Sequence, residues 1–64
     1  MKKYLGLTLA QAEQLAIAEG REVVYHEETE DEYAWLEIST AYGNGAGLEI
    51  NDGIVTEYAF LDLA

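Results

Sequence analysis

The chain has 64 residues, with 13 acidic side chains against three lysines and arginines, which gives a formal net charge of −10 at pH 7. Half of the residues are apolar and 11% are aromatic. We therefore predict one folded domain over residues 1–64, because an acidic disordered tail would have few aromatic residues and little to bury. The absence of cysteine excludes a disulfide framework and a thiolate site.

The first twelve residues imitate a secretion signal, with two lysines, an apolar stretch and small residues at Ala10 and Ala12. A signal normally runs about 15 to 30 residues, and cleavage here would remove half of the strongest helix pattern. No apolar run approaches the roughly 20 residues of a membrane span. We therefore expect a soluble, intracellular protein.

A capping box opens the first element. Thr8 is placed to accept a hydrogen bond from the backbone N–H of Gln11, whose side chain can reach back to the cap. The helix is predicted to run to Glu19, with Gly20 as the left-handed residue that ends it. The apolar stripe that should cover the core consists of Leu9, Ala12, Leu15 and Ala16.

Two segments alternate with a period of two residues, which is typical of strands. In Arg21–Glu27, Val23 and Tyr25 share one face, opposite Glu22, Val24 and His26. In Tyr33–Ser39 the smaller, aliphatic set should face the helix. The outer face of that strand should then carry Tyr33, Trp35 and Glu37.

The last third of the chain predicts a glycine-rich connection and a hairpin. Residues 43–47 carry three of the six glycines and predict a mobile connection. Between Leu48–Ile50 and Ile54–Leu61, a three-residue turn would pair Ile50 with Ile54. That register would place on one face Leu48, Ile50, Ile54, Tyr58 and Phe60. A two-residue turn at Asp52-Gly53 would swap the faces of the last strand, and the pattern leaves both registers open.

Together these elements predict an α+β fold, in which one N-terminal helix packs on a mostly antiparallel sheet of three to four short strands. The other face of that sheet is expected to be open. Tyr33 and Trp35 would form a small recognition patch there.

The most informative segment runs from His26 to Glu37, where six of twelve residues are acidic. No lysine or arginine follows Arg21. Unpaired carboxylates repel one another and destabilise the compact state, so a merely solubilising surface would usually carry some lysine. The candidate partner-binding residues are Glu27, Glu28, Glu30, Asp31, Glu32, Tyr33, Trp35 and Glu37.

Catalysis and metal binding have weaker support in the sequence. Ser39 is the only serine and His26 the only histidine, and a nucleophile and base need a geometry that the pattern does not supply. Calcium would find oxygen ligands in the acidic segment, yet the ordered spacing of a calcium loop is missing. We therefore predict a non-enzymatic protein with no metal and no cofactor.

An electrostatic function fits the acidic segment better. Same-face residues on a strand are about 6.6 Å apart, and duplex DNA carries one phosphate per roughly 3.4 Å of axis on each strand. Carboxylates at alternate positions would therefore approximate a sparse row of phosphates. Such a surface would attract a basic nucleic-acid-binding groove and compete with the nucleic acid. The alternative is a solubilising face without a partner.

Four segments of the chain together form a familiar pattern: Leu5–Thr8, Gln11–Ala16, Val23-Val24 and Leu48–Thr56. In these segments the chain resembles the potato inhibitor I and elastase-inhibitor group of serine-protease inhibitors. The resemblance implies a helix packed on a short sheet and a protease-binding loop between the first strand and the last hairpin. The chain departs from that group in having no proline and no arginine after Arg21 to brace such a loop. Serine-protease inhibition is the alternative function.

In its small size, missing cysteine and uncompensated acidity, the whole chain resembles anti-CRISPR proteins of phages and mobile elements, in particular inhibitors of type I Cascade complexes. The resemblance implies a monomer that binds neither nucleic acid nor membrane and acts in the cytoplasm of the bacterial host. Its partner would be the basic DNA-recognition surface of the large Cascade subunit, with Tyr33 and Trp35 as apolar anchors. We therefore predict an inhibitor that blocks a nucleic-acid-binding site by DNA mimicry.

Overall fold

The computed structural model of the chain describes residues 2–40 and 42–62. One helix precedes four strands, and their bounds are α1 (Leu9–Ala18), β1 (Glu22–His26), β2 (Ala34–Ser39), β3 (Gly45–Asn51) and β4 (Ile54–Asp62). The strands form a single antiparallel sheet in chain order, β1-β2-β3-β4. The predicted α+β fold, with one N-terminal helix on an antiparallel sheet, is confirmed.

The helix begins and ends as its local sequence predicts. The Gln11 backbone N–H donates to Thr8 Oγ1 at 3.1 Å, and the Thr8 backbone N–H donates to Gln11 Oε1 at 3.0 Å. Gly20 follows the C-cap with a φ of 79°. Ala12 and Ala16 are fully buried on the side that faces the sheet. Because alanine carries only a Cβ, α1 can lie close against the strands.

The core lies between α1 and one face of the sheet, here called the inner face. Cross-strand pairing puts Val23 beside Ile38 and Leu36 beside Leu48 on this face. The residues buried in the core are Tyr4, Ala12, Ala16, Leu36, Ile38, Ala46, Leu48, Ile50 and Val55. The side chains that alternate with them form the outer face, which no other element of the described chain covers. Trp35 and Glu37 lie on this outer face as predicted, whereas Tyr33 precedes β2 and is not part of it.

The last hairpin adopts the two-residue turn. Asn51 pairs with Ile54, and the turn residues Asp52 and Gly53 have φ angles of 53° and 74°. Positive φ at both central residues is the requirement of a type I′ turn, which matches the twist of the flanking strands. The three-residue alternative, with Ile50 opposite Ile54, is therefore wrong.

Two extra residues in β4, Thr56 and Ala59, then change which side chains share a face. Thr56 lies between the residues that pair with Ile50 and Glu49, and Ala59 lies between Tyr58 and Phe60, which pair with Leu48 and Gly47. A bulge of this kind turns the following side chain to the other face. Tyr58 packs against the core while Phe60 lies on the outer face, so the expectation that they share a face is wrong.

The glycine-rich segment is not simply a connection, because Gly45 and Gly47 are paired residues of β3. A Cβ at Gly45 would lie 2.5 Å from the carbonyl oxygen of Ile38, and one at Gly47 would lie 2.6 Å from Cε1 of Phe60. The glycines therefore allow close contacts across the sheet. The prediction of a mobile connection over residues 43–47 is wrong for the part that lies in β3.

A polar cluster closes the end of the sheet at which Glu22 pairs with Ser39. The Tyr4 hydroxyl donates to Glu19 Oε1 at 2.7 Å, and Lys3 and Arg21 form ion pairs with the same carboxylate. Burial, with the hydrogen bond to Glu19 next, raises the pKa of Tyr4 above its ordinary 10.0. The hydrogen bond from Lys3, followed by that from Tyr4, lowers the pKa of Glu19 below its ordinary 4.5.

These two pKa shifts define the pH range over which the polar cluster stabilises the fold. Because the pKa of Tyr4 is raised, its hydroxyl contributes fully to stability below pH 10.0, and this contribution is lost as the pH rises through the folded-state pKa. A lowered carboxyl pKa means that its contribution is present above pH 4.5 and is lost as the pH falls through the folded-state pKa.

Candidate partner-binding surface

Most of the predicted acidic residues lie in one connection, residues 27–33 between β1 and β2, here called the acidic loop. Every residue of this loop is exposed. Thr29 organises it, since Thr29 Oγ1 accepts from the backbone N–H groups of Asp31 and Glu32 at 3.3 and 3.1 Å. The Thr29 backbone N–H in turn donates to the Glu32 carbonyl oxygen at 2.9 Å. These bonds use backbone donors, so the side chains of Glu30, Asp31 and Glu32 are not consumed in holding the loop.

This turn changes the predicted arrangement of charge. The acidic residues of the loop are clustered at one end of the sheet and do not form a row at alternate strand positions. The prediction of a phosphate-like row therefore fails within the loop, because Thr29 closes the chain into a turn where a row would need extended backbone.

Acidic residues from the last hairpin continue the cluster. Glu49 pairs with Trp35 on one side and with Glu57 on the other, so both glutamates share the outer face with Trp35. Asp62 pairs with Gly45 at the far end of that face. Asp52 lies in the hairpin turn and, with Glu28 of the acidic loop, lines a cleft of about 390 Å³.

The Glu49–Glu57 pair is electrostatically unfavourable. Residues directly opposite on antiparallel strands have Cβ atoms about 5 Å apart, and like charges in such a pair are destabilising. Within the described residues, ion pairs of lysine and arginine involve only Glu19. The two glutamates are therefore a local cost to the fold that no cation relieves.

Glu37 differs from the other predicted acids in having a partner. His26 Nε2 lies 2.9 Å from Glu37 Oε1 across the β1–β2 pair. The His26 ring also stacks on Trp35, with centroids 4.1 Å apart and planes 8° apart. His26 thus connects the acidic side chain to the aromatic one and covers one face of the indole.

Aromatic side chains line a groove on the outer face, here called the aromatic groove. Phe60 lies edge-on to Trp35, with centroids 6.3 Å apart and planes at 66°. Tyr33 and Phe60 are 63% and 48% exposed, so the groove opens to solvent. It has a volume of about 450 Å³ and is lined by Asp31, Glu32, Tyr33, Trp35, Glu49, Ala59 and Phe60. The structure therefore brings Tyr33 and Trp35 together with two of the predicted acids.

Sequence reasoning missed Ala59 and Phe60 as members of this surface and left Glu49 unassigned. Phe60 lies on the outer face because of the two-residue turn; the extra residue Thr56 reverses the faces of β4, and the extra residue Ala59 restores them. The missing side chain at Gly47 leaves room for its ring. Alternation along β4 placed Phe60 on the inner face only in the three-residue register, and the sequence left both registers open. Glu49 was detectable as a carboxylate, but its face depended on the hairpin register.

The structure separates His26 and Ser39, the two residues of the catalytic alternative. His26 pairs with Trp35 and Ser39 pairs with Glu22, so the two side chains lie at opposite ends of the β1–β2 pair. Four residues along a strand correspond to about 13 Å, which is far beyond hydrogen-bond distance.

Residues 2–40 and 42–62 contain neither a cluster suited to a metal ion nor a helix suited to a membrane. No group of three or more histidine, aspartate or glutamate side chains there is arranged to hold a metal ion. No helix in that part of the chain is long and apolar enough to cross a membrane.

Comparisons with known proteins add no relative to this description. Neither a protein-family model, nor a curated protein, nor a solved structure matches the chain.

Proposed function

We propose that this protein is a non-enzymatic acidic inhibitor that occupies the nucleic-acid-binding site of a bacterial defence complex, with a type I CRISPR-Cas effector as the specific target. It acts in the cytoplasm of the bacterial host as a monomer and binds the basic DNA-recognition surface of the large subunit. The single observation that carries the proposal is the acidic surface formed by the acidic loop and the Glu49–Glu57 pair. Among the residues that the structure describes, no lysine or arginine forms an ion pair with these carboxylates.

Two features of the acidic surface are unfavourable in the isolated protein. The fold places two glutamates directly opposite each other and holds three consecutive acids in an ordered turn. Both features raise the free energy of the isolated protein. A basic nucleic-acid-binding groove would offset that repulsion, and its own positive field would steer the two proteins together. A surface that served only solubility would need neither feature.

The test is competition for DNA. Purified Cascade with labelled target duplex is titrated with this protein at about 50 and 200 mM salt, a range over which phosphate contacts weaken strongly. Displacement that weakens at the higher salt is expected. Absence of displacement at both salt concentrations would refute DNA mimicry on this target.

A charge-reversal pair locates the effect. Glu30→Lys/Asp31→Lys/Glu32→Lys should weaken inhibition at least about 100-fold, since close charge pairs at such interfaces contribute roughly 1.5 kcal/mol or more each. The matched control places five lysines on α1, on the other side of the sheet, and changes the net charge equally: Ala10→Lys/Glu13→Lys/Gln14→Lys/Ile17→Lys/Ala18→Lys. It should lose far less activity. Equal loss in both variants would mean that overall charge, not this surface, is responsible.

The serine-protease-inhibitor alternative stays a prediction without an observation in its favour. The segment expected to hold its binding loop contains β2, which lies between β1 and β3 in the sheet. Titration against elastase-like and subtilisin-like proteases tests it, and stoichiometric inhibition there would displace the proposal.

A further inference from the structure

The aromatic groove has a composition that the DNA-mimicry proposal does not by itself explain. A phosphate mimic needs carboxylates, yet the walls of this groove are Tyr33, Trp35, Ala59 and Phe60. Its volume of about 450 Å³ falls within the roughly 300–1,000 Å³ usual for ligand sites. The groove is therefore large enough to receive a side chain of a partner.

The rim of the groove is negative and uncompensated. Asp31, Glu32 and Glu49 line it together with the rings. Within the described chain, the hydrogen bonds of Asp31 and Glu32 involve only their backbone groups, and the ion pairs use other carboxylates. Three carboxylates are thus available to a positive ligand at the edge of an aromatic surface.

Aromatic walls beside available carboxylates suit a guanidinium group. Arginine is planar, stacks on aromatic faces and presents forked N–H donors that match carboxylates. A cation over tryptophan gains electrostatic attraction from the ring. Lysine is a compact and strongly hydrated charge, so it benefits less from the flat apolar walls.

Neighbouring side chains hold the groove in place before any ligand arrives. His26 stacks on Trp35, and Phe60 lies against Gly47, where a Cβ would be 2.6 Å from its ring. The two rings that form the walls are therefore supported by contacts on the sheet. A site with its aromatic groups already positioned loses less conformational entropy on binding.

We propose that the aromatic groove binds an arginine side chain of the partner protein. This inference rests on the proposed function for its basic partner and narrows the chemistry of the contact. Arginine residues in a nucleic-acid-binding site would enter the groove while their neighbours meet the acidic loop. The negative rim of the groove is complementary in charge to the guanidinium group, which favours this occupant.

The test uses the intact protein and three capped pentapeptides, Gly-Gly-Xaa-Gly-Gly, in which Xaa is arginine, lysine or citrulline. Trp35 is the only tryptophan, so its fluorescence and its indole N–H resonance report on the groove. The arginine peptide should give a saturable change. The citrulline peptide, of nearly the same shape but uncharged, should bind at least roughly fivefold more weakly because the cation–π and charge-assisted contacts are lost.

Two isosteric variants supply the matched control. Glu49→Gln removes a rim charge and should weaken arginine-peptide binding by roughly three- to tenfold. Glu13→Gln removes one charge from α1, on the other side of the sheet, and should change binding by less than about twofold. Equal effects of both variants, or equal binding of the arginine and citrulline peptides, would overturn the assignment.

The remaining outcomes separate the two proposals. Equal or tighter binding of the lysine peptide would overturn the choice of arginine. Concentration-dependent dimerisation that Glu49→Gln abolishes would assign the groove to a second copy of the chain. Cascade inhibition without arginine-peptide binding would refute the groove assignment alone, whereas arginine-peptide binding without Cascade inhibition would refute only the proposed target.

Discussion

Two glycines of β3 should differ in how much stability they lose on substitution by alanine. In Gly45→Ala the new Cβ would lie 2.5 Å from the carbonyl oxygen of Ile38, a backbone atom of the central strand β2. In Gly47→Ala it would lie 2.6 Å from Cε1 of Phe60, at the far end of a side chain that is 48% exposed. The initial overlap is almost equal, but only Phe60 can move away without disturbing the sheet.

The magnitudes follow from what has to move. An ordinary Cβ contact begins at 3.4 Å, so the Phe60 ring must shift by at least about 0.8 Å. Loss of the edge contact between Phe60 and Trp35 costs about 0.5–1.5 kcal/mol. Alanine is more favourable than glycine in a strand by about 0.5–1 kcal/mol, and this gain offsets most of that cost. Gly47→Ala should therefore leave the free energy of unfolding within about 1 kcal/mol of wild type.

Gly45→Ala has no such escape, and overpacking against backbone costs about 1–3 kcal/mol. A domain of this size has a total stability of roughly 3–10 kcal/mol, so a loss near 2 kcal/mol should lower the melting temperature by roughly 8–16 °C.

Urea denaturation followed by circular dichroism measures both variants. Gly47→Ala should also weaken arginine-peptide binding, because its displaced Phe60 ring is a wall of the aromatic groove. A Gly45→Ala protein as stable as wild type, or less affected than Gly47→Ala, would contradict the close packing deduced at these positions.

Three further predictions concern the ends of the fold. The difference in unfolding free energy between wild type and Tyr4→Phe should narrow as the pH rises above 10.0. The difference between wild type and Glu19→Gln should narrow as the pH falls below 4.5. Urea titrations across the pH range measure both differences, and profiles that stay parallel to wild type would contradict the two pKa shifts. Asp52→Asn should raise the free energy of unfolding by up to about 0.5 kcal/mol, because asparagine tolerates the positive φ of a type I′ turn better than aspartate does. Asp52→Ala should lower it, and thermal melts of the three proteins rank their stabilities. Thr29→Ala should remove the acceptor of two backbone N–H groups and weaken Cascade competition several-fold, while Thr29→Ser retains it; equal competition by both would show that loop order is unimportant.

Several features were predictable because they depend on residues close together in the chain. Thr8 and Gln11 make the capping box within one turn, and Gly20 ends the helix directly after its C-cap. The inner and outer faces of β2 follow from a period of two, so Leu36 and Trp35 could be assigned to opposite sides. The acidic residues and their lack of cations are likewise visible in the sequence itself.

The acidic loop is an intermediate case. Its charges were predictable, and its shape had a local signal, since a threonine followed by acidic residues can accept hydrogen bonds from the next backbone N–H groups. The hypothesis of a phosphate-like row relied on extended strand spacing. Thr29 instead bonds to the backbone of Asp31 and Glu32, which gathers the charges at one end of the sheet.

By itself the sequence determined the helix, the strand faces before the hairpin and the excess of negative charge, because each depends on neighbours a few residues apart. Only the tertiary structure decided that Phe60 joins Trp35 and Glu49 on the outer face. That outcome required the two-residue turn, the space above Gly47, and two extra residues, Thr56 and Ala59, whose effects on the face of Phe60 cancel. These depend on how β3 and β4 pack against each other, and alternation along one strand cannot register an added residue or a missing Cβ on its neighbour.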